Sequence, residues 1–117
     1  MAVDVTTGRQ FFKLVFFVPE THKEMVKRAV FAAGAGHYDG YEQCSWETLG
    51  TGQFKPLEGS QPFIGEKETL ELVSEYRVET LCPADKIASI LHALIEAHPY
   101  ETPAYDVWSV MTINDFN

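Results

Sequence analysis

The residues of this chain that could do chemistry gather at two places. Residues 97–107 read AHPYETPAYDV and set His98 and Glu101 among prolines and tyrosines, while His37 follows the glycine-rich run GAG. Neutral imidazoles and a carboxylate suit a divalent ion such as Zn or Cu, so His37, His98 and Glu101 would make a metal site if two loops brought them together. A cation would also be favoured at His98 if that residue closes a helix, where the dipole is negative. The same residues have a structural reading. A histidine at a helix end can bond the last free carbonyls, and Pro99, Tyr100 and Pro103 make a rigid corner leading into a strand. One histidine and one acid in a turn are a thin metal signal, so the corner is favoured and the ligand site stays open beside it.

Other chemistry is scarcer. Cys44 and Cys82 form no CxxC pair and have no zinc-type Cys and His spacing; they read as small hydrophobes in strand-like runs. None of the glycines falls in a GxxxxGK[ST] or GxGxxG pattern, so no phosphate cradle is supported. No nucleophile elbow is present. His22 and His92 lie on helical stretches with solvated faces, and Glu66 and Glu68 read as solubilising charge at a strand start. No catalytic residue is assigned, and the reading leans to a non-enzymatic protein.

These candidates are positioned by six elements. FFKLVFFVP, from Phe11, is dense in aromatic and β-branched residues with one charge, Lys13, so it reads as a strand buried on both faces. Thr21 and Glu24 form a T-x-x-E capping box, and Val26, Ala29, Val30 and Ala33 give the following helix one apolar face, with Gly34 as its C-cap. YEQCSWETLGTGQF alternates as a second strand, with Cys44 and Trp46 expected on its inner face and a bend near Gly50 and Gly52. PLEGSQPFIGEKE is a loop.

From Thr69 to Thr80, Leu70, Leu72, Tyr76 and Val78 alternate with Glu71, Glu75, Arg77 and Glu79, which predicts a strand with one wet face. Pro83 and Asp85 open a second helix with the stripe Ile87, Ile90, Leu91 and Leu94. That helix ends near His98, because the residue before a proline leaves helical geometry. AYDVWSVM, after Pro103, is the last strand. The order β-α-β-β-α-β predicts an α+β, ferredoxin-like sandwich: a four-stranded antiparallel sheet with both helices on one face. Its other face, carrying Trp and Tyr, is expected to meet a partner, so a homo-oligomer is the simpler expectation.

The 117 residues have room for one domain, here residues 11–112, between a loose N-terminal tail over 1–10 and a C-terminal tail over 113–117. With 45% hydrophobic residues a core needs no disulfides. A net charge of −8 argues against nucleic acid and anionic membrane surfaces as partners. The N-terminus lacks the pattern of a signal peptide and no apolar run reaches the roughly 20 residues that span a bilayer, so a cytoplasmic location is expected.

The runs GAGHYDGYEQCSWETLGTGQFKPLEGSQPFIG and AHPYETPAYDV resemble the inserted middle domain of the Nif-three-like family, the YqfO and YbgI type of protein. The resemblance covers about residues 11–110. It implies a PII- and CutA-like domain, the fold of two protein types that assemble as trimers, and a stand-alone copy of it. In PII-like proteins the loop between the second and third strands works with subunit clefts to bind ligands, which implies that role for Gln53–Gly65. Lys55 and Lys67 are the only bases near it. The two-metal site of the longer family members lies in flanking domains without a counterpart in these residues, so a metal-assisted hydrolase is the weakest expectation. A non-enzymatic oligomeric module that binds a small ligand, a metal ion or a protein partner is the leading one. A divalent-metal binding or tolerance protein using His37, His98 and Glu101 is the alternative.

Overall fold

The computed structural model describes residue 3 and residues 8–116, so most of the tail expected over 1–10 lies outside the described residues, as does Asn117. The elements run β1 (Phe11–Pro19), a 3-10 turn (Glu20–His22), α1 (Lys23–Ala32), β2 (Trp46–Phe54), β3 (Glu71–Pro83), a second 3-10 turn (Ala84–Lys86), α2 (Ile87–Ala97) and β4 (Tyr105–Ser109). The strands make one antiparallel sheet in the order β2-β3-β1-β4. This is the ferredoxin-like α+β arrangement.

The apolar density of β1 fits its place in the middle of the sheet. Leu14, Phe16 and Val18 point to the helices and pack with Val78 and Cys82 of β3, Val26 and Val30 of α1, and Ile90 and Leu94 of α2. All of these are fully buried. Each large aliphatic or aromatic side chain among them stabilises the fold by about 1.5–3 kcal/mol through lost apolar surface. Among the described residues no helix is long and apolar enough to cross a membrane.

Four local expectations change. The T-x-x-E capping box does not form: the chain makes the tight turn at Glu20–His22 first, and the Thr21 hydroxyl bonds His22 Nδ1 at 2.8 Å instead of capping α1. The second strand starts at Trp46, and Trp46 lies on the face away from the helices, 60% exposed. Glu47 takes the helix side, opposite Val78, because Lys23 and Lys27 of α1 reach its two carboxylate oxygens at 2.6 and 2.7 Å. Leu72 is exposed as well. β3 outruns β1, whose last pair is Pro19 with Glu75, so residues 71–74 and 51–54 project as a two-stranded ribbon. Finally, within the segment read as a C-terminal tail, Ile113–Asp115 forms a 3-10 turn closed by a capping box with Thr112, and Asp115 lies 3.7 Å from Arg9.

Candidate ligand cleft

The corner after α2 is built by its first proline. His98 precedes Pro99 and takes extended geometry (φ −73°, ψ 135°), which ends the helix. The extended turn folds the His98 ring inward, and only 6% of the residue is exposed. The Tyr100 amide donates to Nδ1 at 3.1 Å, so Nδ1 holds the lone pair and Nε2 holds the proton, which it donates to the Phe17 carbonyl at 2.6 Å. The Phe17 amide in turn donates to the Ala104 carbonyl at 3.1 Å. The corner is thereby stitched to the end of β1 at both backbone groups of one residue. Burial holds the His98 pKa below its ordinary value of 6.5, against the opposing pull of the Phe17 carbonyl.

The loop between β2 and β3 closes over this corner. The Gln61 amide donates to Glu101 Oε1 at 3.1 Å, and Phe63 meets the ring of His22 edge-on at 5.2 Å. A cavity of about 260 Å³ lies between loop, corner and the uncovered face of the sheet, with Phe17, Phe54, Phe63, Glu75, Tyr100 and Glu101 among its walls. The Tyr100 ring stands 6.3 Å from both Phe54 and Phe63, tilted by 52° and 45°. Its hydroxyl is buried without a hydrogen-bond partner among the described residues. Glu75 sits over Gly52, where an added β-carbon would meet the carboxylate. Burial pushes the Glu75 pKa up, and burial together with the Glu75 charge pushes the Tyr100 phenol up.

His37, His98 and Glu101 are not brought together within the chain. α1 and α2 run in opposite directions, so their C-terminal ends lie at opposite ends of the sheet. His37 is exposed beside Phe11 and Pro83 at the start of β1, whereas His98 sits at Phe17, six residues or about 20 Å along the strand. Both ring nitrogens of His98 are already engaged. Among the described residues no group of three or more His, Cys, Asp and Glu side chains is arranged to hold a metal ion. Of the three expected metal ligands only Glu101 lines the cavity, together with residues of the Gln53–Gly65 loop. Cys44 and Cys82 are free thiols, and burial pushes the Cys82 pKa up to about 12.

Glu75 and Gly52 were not legible as site residues. A glutamate on the wet side of a strand reads as solvated, and only the folded sheet, in which Glu75 pairs with Gly50 and lays its carboxylate over Gly52, shows that a glycine clears its place. Phe54 and Phe63 fall within Gln53–Gly65, the loop to which the resemblance gives a ligand-binding role, but neither was singled out in it.

No protein-family model matches the chain. A protein of Halalkalibacterium halodurans named GTP cyclohydrolase 1 type 2 homolog is 46% identical over 103 residues, which are 88% of this chain and 28% of that protein. The crystal structure of a Bacillus cereus protein related to NIF3 superposes with a TM-score of 0.76 at 41% identity, over 89% of this chain and 26% of the other. This chain is homologous to a segment of the NIF3-related proteins. It spans little more than a quarter of the length of these two relatives. The periplasmic divalent cation tolerance protein CutA from Archaeoglobus fulgidus shares the NIF3-related segment's fold, with a TM-score of 0.62 at 12% identity over 87% of this chain and 85% of CutA.

Proposed function

We propose that the protein is a non-enzymatic, oligomeric binding module that takes a small ligand in the cleft between the 98–104 corner and the β2–β3 loop. The observation that carries this reading is the Tyr100 hydroxyl, buried at the cavity without a hydrogen-bond partner among the described residues. Buried polar groups in folded proteins are nearly always hydrogen-bonded, so the Tyr100 hydroxyl costs stability unless something else occupies the space. Concave sites lined by aromatic side chains with a few convergent polar groups are the usual form of small-molecule sites.

Assembly as the trimer implied by the resemblance is supported by the uncovered sheet face. Trp46 and Trp108 lie there, 60% and 47% exposed, and Leu72 stands bare on the projecting ribbon with Leu70 just before it. A two-stranded ribbon is marginally stable alone and gains from a neighbour. The name of the longer relatives points to GTP, but the charged side chains lining this cavity are both carboxylates, which disfavours a triphosphate.

A fragment screen by amide-resolved NMR tests the cleft. Small organic fragments should shift the amide signals of Phe54, Glu75 and Tyr100 in preference to others. A screen whose hits all fall elsewhere, or that yields none, overturns the reading.

A further inference from the structure

Resting on that reading, we propose that the ligand of the cleft is a small organic cation, an ammonium group carried on a short apolar body. Phe54 and Phe63 stand at 52° and 45° to the Tyr100 ring beside the space, and aromatic faces attract a cation within about 6 Å of their centres. The two charged residues named among the walls, Glu75 and Glu101, are both acidic, and among the described residues no lysine or arginine lines the cavity. Glu101 is committed to the loop through Gln61, which leaves Glu75 as the free counter-charge.

The nearest base of the open face does not neutralise Glu75. Arg77 turns to Glu79 at 3.3 Å and lies between the rings of Trp108 and Phe17, 5.9 and 6.0 Å from their centres. Elsewhere the protein seats a cation on a ring in just this way, with the Lys23 ammonium 3.9 Å from the centre of Tyr76. Gly52 completes the arrangement, since any side chain there would push the Glu75 carboxylate out of place. The N–H groups of an ammonium can donate to the Glu75 carboxylate and to the phenolic oxygen of Tyr100, pairing the charge of one and satisfying the other. A volume of about 260 Å³ falls below the usual range of drug-sized sites, which limits the body to roughly a single ring or short chain.

Three probes with one phenyl body and different charges separate the possibilities: phenethylamine, 2-phenylethanol and phenylacetate, titrated into the full chain and followed by NMR. Phenethylamine should shift the Glu75 and Tyr100 signals and bind about tenfold more tightly than 2-phenylethanol. Glu75→Gln should abolish that preference. Gly52→Ala, which displaces the carboxylate without removing its charge, should weaken phenethylamine in the same direction. If 2-phenylethanol or phenylacetate binds the same signals as tightly as the amine, the cation inference falls and the cleft survives as a ligand site. If none of the three moves the cavity signals, the cleft itself falls.

Discussion

His98 donates its Nε2 proton to the Phe17 carbonyl at 2.6 Å, joining the end of the second helix to the central strand across 81 positions of sequence. With Tyr100 bonded to the other nitrogen, the imidazole is a structural bridge held in one neutral tautomer.

Removing that bridge leaves two backbone groups unsatisfied. His98→Ala is expected to cost roughly 2–4 kcal/mol in urea unfolding, whereas an exposed substitution such as His92→Ala should change stability by less than about 0.5 kcal/mol.

The same histidine makes stability depend on pH. Its folded pKa lies below 6.5, so between the two values the unfolded chain binds more protons than the folded one. Its contribution is complete above about pH 6.5 and is lost as the pH falls below it. Unfolding free energies measured from pH 7.5 to 5 should decline more steeply for the native chain than for His98→Asn.

The Glu47 carboxylate between Lys23 and Lys27 should behave in the opposite chemical sense but with the same direction in pH. The two ammonium groups hold its pKa below 4.5, so its contribution is present above that value and lost as acid protonates it. Glu47→Gln is expected to cost about 1 kcal/mol, a loss that 1 M salt reduces. A double-mutant cycle with Lys23→Met measures the coupling.

Thiol chemistry should distinguish the two cysteines. Cys44 is partly exposed, while Cys82 is buried with a pKa near 12, and thiolate is the reactive form. A thiol reagent at pH 8 should label Cys44 in the native protein and Cys82 only on unfolding. Rapid native labelling of Cys82 would contradict its placement in the core.

The exposed apolar surface gives the assembly reading its own test. Sedimentation at micromolar concentration should show a species larger than 13.2 kDa, and Trp46→Glu together with Leu72→Glu should shift it toward the monomer. A native chain that sediments as a monomer would remove the oligomer from the proposal.

Much of the architecture was legible because local signals agree with one another. FFKLVFFV can only be satisfied with neighbours on both sides, and the X-Pro bond at His98 fixes both the helix end and the corner. What escaped depends on relations between distant segments. Alternation shows that Trp46 and Glu47 face opposite ways, but which one meets the helices depends on two lysines of α1. Leu72 reads as core until β3 is seen to run past the end of β1. The cavity needs the loop, the corner and the placement of Glu75 over Gly52 together, and no short stretch contains that information.

The position of β1 has a consequence for biosynthesis. Among the four strands of this sheet, β1 is made before the two that flank it, and it stays unpaired until both exist: Phe12 must find Cys82 on one side and Ser109 on the other. Until then a nine-residue apolar segment, with both edges able to accept another chain, is exposed to its neighbours. Lys13 and the terminating Pro19 are the residues that blunt such pairing, acting as gatekeepers of the nascent chain as well as parts of the finished sheet.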